Sequence, residues 1–257
     1  MSAMKGKLVL VTGASAGIGE ACARRFAAAG CDLLLAARRD DRLGRLKEEL
    51  EKEFGISATA AKLDVRDRDG VERFARDVAK GAAPDILINN AGLASGLSLL
   101  HEGDFEDWDR MIDTNVKGLL NVSRLIIPMM VERNSGHVIN IGSVAGHLVY
   151  PKGNVYNATK FAVRALSEGM NLDLVGTNIR VSSIDPGMTE TEFSEVRFHG
   201  NKERARAAYK GFKPLAAEDI ADAAFYVASA PEHVSVVNMV ILPTAQRSPF
   251  VIHRDDN

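Results

Sequence analysis

Short apolar runs recur along the chain, and longer segments of helical character separate them. The runs Leu8–Thr12, Asp32–Ala37, Ser57–Val65, Pro84–Asn89, His137–Ile141, Ile179–Ile184 and Met239–Leu242 predict strands. The intervening segments Ile18–Ala29, Asp40–Phe54, Asp69–Lys80, Trp108–Arg133, Val155–Leu174 and Ala217–Ala228 predict helices. Most strand runs are apolar throughout rather than alternating, which implies burial on both faces. Strands regularly separated by helices imply right-handed crossovers and a parallel sheet. The expected architecture is α/β, a doubly wound parallel sheet flanked by helices. Ligands of such sheets sit beyond the carboxyl ends of the strands.

Length and composition narrow this further. The chain has 257 residues, and no Pro/Gly/Ser-rich run or charge block divides it, so a single domain over residues 1–257 is expected. Apolar residues make up 46% and charged residues 26%, an ordinary balance for a globular protein. The formal net charge of -2 gives no basic surface for phosphate neutralisation, so no nucleic-acid partner is expected. The apolar stretch from Leu125 to Val131 is broken by Pro128 and too short to span a bilayer. The N-terminus enters a strand almost at once, leaving no room for a targeting peptide. Cys22 and Cys31 read as structural thiols of a reducing compartment, which points to the cytoplasm. None of the six histidines pairs with another histidine or a cysteine at metal-ligand spacing, so no metal is expected.

The first strand runs into Thr12-Gly13-Ala14-Ser15-Ala16-Gly17-Ile18-Gly19. Glycines here permit a tight turn and close approach to a pyrophosphate, and the following helix offers free N–H groups to that anion. The spacing Gly-x-x-x-Gly-x-Gly differs from the common G-x-G-x-x-G, but the strand–turn–helix context is the one a nucleotide requires. The second strand indicates which nucleotide. It ends in Arg38-Arg39, where an NAD-binding protein would place a carboxylate for the ribose 2′-hydroxyl. Two guanidinium groups suit a 2′-phosphate, so the expected cofactor is NADP. Capping of the next helix is a weaker explanation, because cations are disfavoured at a helix N-terminus.

Four residues carry candidate chemistry: Asn115, Ser143, Tyr156 and Lys160. Tyr156 and Lys160 are four apart on a predicted helix and share a face. A free tyrosine has a pKa near about 10, too high for a base at neutral pH, and a neighbouring ammonium lowers it. Ser143 follows a strand at its carboxyl end, where its hydroxyl can hold a substrate oxygen near Tyr156. The Tyr-x-x-x-Lys spacing alone is weak evidence, since Tyr209 and Lys213 repeat it in a polar segment without the serine.

Together with Asn89-Asn90-Ala91-Gly92, these motifs resemble the short-chain dehydrogenase/reductase family over essentially the whole chain. The resemblance implies a Rossmann-type fold with about seven strands. It implies that Asn115 holds a water linking Lys160 to solvent and that Lys160 also bonds the nicotinamide ribose. It places Gly13, Ser15, Ala16, Gly17, Ile18 and Gly19 at the pyrophosphate, and Arg38 and Arg39 at the adenosine ribose. Asp64 and Val65 fall at the adenine. Asn90, Ala91 and Gly92 line the adenine-ribose side, while Asn89 supports the central strand. Pro186, Gly187 and Thr189 lie near the nicotinamide carboxamide, beside Tyr156 and Lys160.

The stretches Met111–Asn115, Gly136–Ser143, Gly153–Tyr156 and Thr191–Phe198 are similar to the NADP-dependent 3-hydroxy acid dehydrogenases within that family. That similarity implies oxidation of the β-hydroxyl of small acids of the serine, allo-threonine or 3-hydroxypropionate type, or reduction of the matching semialdehyde. The segment Glu190–Lys213 is expected to form a lid. Arg197 within it suits bidentate binding of the substrate carboxylate, alongside Ser143 at the hydroxyl. His147 and Tyr150 are further candidates for the pocket wall. Two other readings stay open: a broad-specificity NADPH-dependent carbonyl reductase, and a non-catalytic NADP-sensing protein. Apolar residues on more than one face of Trp108–Arg133 and Val155–Leu174, with the family's habit of pairing these helices, imply a homotetramer. The tail Pro243–Asn257 is expected to reach a neighbouring subunit.

Overall fold

The apolar runs become the strands of one sheet in a computed structural model that describes residues 4–255. The strands are β1 (Leu8–Thr12), β2 (Asp32–Ala37), β3 (Ala58–Lys62), β4 (Ile86–Asn89), β5 (Gly136–Ile141), β6 (Ile179–Pro186) and β7 (Asn238–Ile241). The helices are α1 (Gly17–Ala27), α2 (Asp40–Phe54), α3 (Arg68–Ala79), α4 (Phe105–Ile112), α5 (Leu119–Arg133), α6 (Asn154–Asp173), α7 (Phe193–Arg197), α8 (Lys202–Ala207) and α9 (Ala217–Ser229). All strand pairs are parallel, in the order β3-β2-β1-β4-β5-β6-β7. Strand order reverses between β1 and β4, which opens a crevice there at the carboxyl edge.

Two apolar layers fix the strands from both sides. Val9, Val11, Ile86, Ile88 and Ile139 face a cluster with Cys22 and Phe26 of α1, Leu46 of α2 and Ile220 of α9. Leu10, Leu87, Val138 and Val181 face the opposite cluster, with Val71 of α3 and Val122, Ile126 and Met130 of α5. Successive side chains of a strand point to opposite faces, so an unbroken apolar run is what two covered faces require. The rule lapses at the edges. Asn238 and Val240 of β7 are exposed, and β3 stops at Lys62, three residues short of its expected end. An edge strand lacks a second neighbour to bury it and hold it extended.

The expected helix Trp108–Arg133 is longer and interrupted. It begins at Phe105, where Asp104 caps it by accepting from the Glu106 N–H at 2.7 Å. Between α4 and α5 the chain widens into a π-turn over Asp113–Gly118. Such turns insert a residue into an α-helix and often mark functional positions. This one carries Asn115. Among the described residues no helix is long and apolar enough to cross a membrane, and no group of histidine, cysteine or acidic side chains is arranged to hold a metal.

Both cysteines are buried free thiols, and burial pushes each up to about 12. His137 in β5 is also buried, with Nε2 at 2.8 Å from the Ser182 hydroxyl, and burial lowers its pKa to about 3. A histidine kept neutral in the native state takes up a proton on unfolding once pH falls below its ordinary 6.5. Stability is therefore expected to fall between pH 6.5 and about 3. His137→Gln should flatten that slope, as read by denaturant titration at pH 7 and pH 5.

Candidate active site

The site begins with a turn that cannot hold larger residues. Gly13 takes a φ of 67°, in the left-handed region that favours glycine. A Cβ on Gly19 would lie 2.4 Å from both the Asn90 amide nitrogen and the Gly13 carbonyl oxygen. The neighbour that fills this space also holds the turn. The Asn90 side chain donates to the carbonyls of Thr12 at 2.9 Å and Gly13 at 3.3 Å. In return, the Thr12 hydroxyl accepts from the N–H groups of Asn90 at 3.0 Å and Ala91 at 3.1 Å. Asn89 ties β4 sideways, donating at 2.9 Å to both the Ser123 hydroxyl and Asn140. The Asn-Asn-Ala-Gly stretch is thus the brace of the glycine turn.

From this turn a cleft of about 590 Å³ runs across the carboxyl edge of the sheet. Gly13, Ser15, Ala16, Gly17 and Ile18 line its middle, and Arg38, Arg39, Asp64 and Val65 line one end. Asn90, Ala91 and Gly92 form the floor. Ser143, Tyr156, Lys160, Pro186, Gly187 and Thr189 line the other end, under Arg197. Two expected residues stand behind the wall. Gly19 packs on the turn, and Asn115 is buried with its amide accepting from the Leu93 N–H at 2.8 Å. Both Asn115 amide hydrogens are used, on the Leu93 carbonyl at 2.8 Å and the Thr159 hydroxyl at 3.0 Å.

Arg39 is the N-cap residue of α2 but makes no capping bond with its side chain. Its guanidinium reaches instead to the Ser15 hydroxyl at 3.1 Å and to Glu192 at 2.7 Å. Arg38 stands beside Asp64, which Arg66 grips through both its Nε and Nη2.

At the end of the cleft under Arg197, α6 buries Tyr156 and Lys160 one turn apart. Lys160 donates to the Ile141 carbonyl at 2.9 Å, at the end of β5. Burial lowers its pKa to about 8, against the pull of the Asp185 charge. Burial works against the expected lowering of the phenol pKa. Burial raises the Tyr156 pKa, while a hydrogen bond with Ser143 and the charge of Arg197 act to lower it. Lys160 Nζ lies 6.0 Å from the ring centroid and is held by a backbone carbonyl, so its charge is not the dominant influence. Arg197 is the nearer cation, 5.3 Å from the Tyr156 centroid, and it donates to the Tyr150 hydroxyl. Phe193 meets Tyr156 edge-on with centroids 5.7 Å apart.

Several wall residues carried no sequence signal. Tyr209, whose spacing to Lys213 repeats that of Tyr156 and Lys160, is not helical with it. Tyr209 instead lines the cleft, donating to the Thr189 carbonyl at 2.9 Å and meeting Ser194 at 2.7 Å, while Lys213 is exposed. His147 leaves the cleft and pairs with buried Asp185 at 2.5 Å. The tail folds back on its own subunit. Arg254 donates to the carbonyls of Ala208 and Lys210, Gln246 accepts from the Met188 N–H at 2.9 Å, and Pro249, Ile252 and Arg254 line the cleft.

Comparison with known proteins agrees with this geometry. Residues 7–202 match the short chain dehydrogenase family model. The chain is 47% identical over 250 residues to NADP-dependent 3-hydroxy acid dehydrogenase YdfG of Salmonella typhi, covering 96% of this chain and 99% of that one. It is 42% identical over 251 residues to sulfoacetaldehyde reductase 2 of Chromohalobacter salexigens, covering 96% and 99%. Among solved structures, the closed form of a serine dehydrogenase complexed with NADP+ superposes with a TM-score of 0.89 at 44% identity, covering 96% and 100%. By the braced glycine turn, by its serine, tyrosine and lysine at one end of the cleft, and by these likenesses, the chain belongs to the short-chain dehydrogenase/reductase family.

Proposed function

We propose that this protein is an NADP-dependent oxidoreductase acting on the 3-hydroxyl carbon of small 3-hydroxy acids, or on the matching semialdehyde. The observation that carries the proposal is one cleft with arginines at both ends and the Ser143–Tyr156–Lys160 group beside one of them. The coenzyme fits these residues. The turn at Gly13 and Gly19 has no side-chain bulk that would block a pyrophosphate, and Arg38 and Arg39 line the cleft as cations suited to a 2′-phosphate. When bound, the nicotinamide supplies or accepts the hydride.

The chain's own residues do the rest. Ser143 holds the substrate oxygen, and the Tyr156 hydroxyl exchanges a proton with it. Lys160, fixed by the Ile141 carbonyl, supports the phenolate and reaches the ribose. Asn115 anchors the π-turn behind them, with a bound water as its link from Lys160 to solvent. Arg197 takes the substrate carboxylate; a sulfonate is an equally suitable anion for a guanidinium. The segment 190–213, carrying Arg197 and Tyr209, acts as the lid.

The test is a purified-enzyme screen with NADP against serine, allo-threonine, 3-hydroxypropionate and 3-hydroxyisobutyrate. Turnover of at least one is expected. Activity on none, with turnover of uncharged ketones, would favour the broad carbonyl reductase, for which the cleft offers Leu97, Phe198 and Pro249 as apolar walls. Arg39→Ala is expected to raise KM for NADPH about 10- to 100-fold, the worth of a charge-assisted hydrogen bond, and to leave KM for NADH within about twofold. Steady-state kinetics with both coenzymes check this.

The same proposal makes the protein a cytoplasmic homotetramer. Phe105, Ile112, Leu120 and Val131 are exposed along α4 and α5, as are Phe161 and Leu172 along α6. Rows of exposed apolar side chains on helices favour partner burial. Light scattering of the purified protein tests the oligomer directly.

A further inference from the structure

An anion of the chain itself already sits on Arg39, one of the arginines proposed for the coenzyme, and on Arg42. Glu192 presents one carboxylate oxygen to Arg39 Nη1 and the other to Arg42 Nη1, each at 2.7 Å. Arg39 is steadied from behind by Ser15, a residue of the phosphate turn. Arg42 lies one turn into α2 and has no role in the reading given above. A carboxylate bridging two guanidinium groups shows that both can reach one anion between them.

The position of Glu192 in the chain gives this meaning. It precedes Phe193, whose ring packs against Tyr156. It follows Thr191, whose side chain comes within 3.3 Å of where a Cβ on Gly17 would stand. One short stretch therefore touches the 2′-phosphate arginines, the pyrophosphate turn and the catalytic tyrosine. A 2′-phosphate carries up to two negative charges and would meet Glu192 at Arg39.

We propose that Arg42 joins Arg38 and Arg39 in the 2′-phosphate subsite, and that Glu192 is its internal occupant, a competing anion that yields when NADP(H) binds. This rests on the NADP reading above. Coenzyme entry exchanges one anion for another on Arg39, and the exchange is felt by the adjoining residues that cover Tyr156. A coenzyme without the 2′-phosphate has no means of making that exchange, so Glu192 opposes only the phosphorylated form. The ion pairs are about 40–45% exposed, so solvent screens them and the competition is modest in size.

The experiment is calorimetric titration of the intact protein with adenosine 2′,5′-bisphosphate and with 5′-AMP, which differ by the 2′-phosphate alone. Wild type is expected to bind the bisphosphate more tightly. Glu192→Gln should tighten the bisphosphate about 3- to 10-fold, the scale of two screened pairs, with 5′-AMP unchanged. Arg42→Gln should weaken the bisphosphate by a similar factor, again with 5′-AMP unchanged. A bisphosphate affinity that is unchanged or weaker in Glu192→Gln overturns the competition. An Arg42→Gln variant with unaltered bisphosphate affinity overturns the place of Arg42 in the subsite. Wild type that fails to distinguish the two ligands overturns the NADP reading itself, which separates that failure from the others. Thermal melts of each variant confirm that the folded protein is being compared.

Discussion

Tyr156→Phe is expected to lower kcat by about 10³-fold or more while NADPH still binds with near wild-type affinity. General acid–base catalysis contributes roughly 10²- to 10⁴-fold, and removing the hydroxyl removes the proton donor that the proposed chemistry places beside Ser143. The ring itself is retained, so its edge-on contact with Phe193 persists and the fold is not disturbed. Stopped-flow fluorescence of NADPH binding and steady-state turnover, measured on the same preparation, separate the two effects. A variant retaining a tenth of wild-type kcat would remove Tyr156 from the reaction. The pH profile adds a second check. Lys160 is charged below about 8 and loses its proton above it. Its support of the phenolate therefore fades as pH rises through about 8, and carbonyl reduction should decline there.

The second large effect falls on substrate rather than on chemistry. Arg197→Ala is expected to raise KM for a carboxylate-bearing substrate about 10- to 100-fold, as loss of a charge-assisted pair predicts. KM for an uncharged aldehyde should move little. The side chain does two things in this structure: it donates to Tyr150 and to the Gly96 carbonyl at 3.4 Å, and it stands 5.3 Å from the Tyr156 ring centroid. The contrast between charged and neutral substrates distinguishes anion recognition from a structural tie, because a merely structural loss would weaken both. Unchanged KM for serine and 3-hydroxypropionate would falsify the carboxylate role.

Much of this site was legible before any coordinates, for a physical reason. The glycine turn, the arginines after β2, Ser143 and the Tyr156–Lys160 pair are local: each motif does its work at one end of one element. The strands were legible because a sheet covered on both sides demands apolar runs. What stayed hidden depends on contacts distant in sequence. Glu192 meets Arg39 across 153 residues, and nothing in either neighbourhood announces the pair. The place of Tyr209 in the cleft wall stayed hidden because its spacing to Lys213 carries no information outside a helix. The π-turn at Asp113–Gly118 was read as plain helix because it lies between two helical stretches, although Asp, Thr, Asn, Val and Gly are weak helix formers. The direction of the Tyr156 pKa was missed because burial, which a motif does not encode, outweighs the nearest charge.

The closing stretch of the chain has a consequence for how such a protein diversifies. Residues 243–255 add no strand to the sheet, yet Pro249, Ile252 and Arg254 form wall, and Arg254 fastens the neighbouring Ala208–Lys210 turn. Changes at Pro249, Ile252 or Arg254 would therefore re-cut the mouth of the cleft while the sheet, the glycine turn and the Ser143, Tyr156 and Lys160 positions stay as they are.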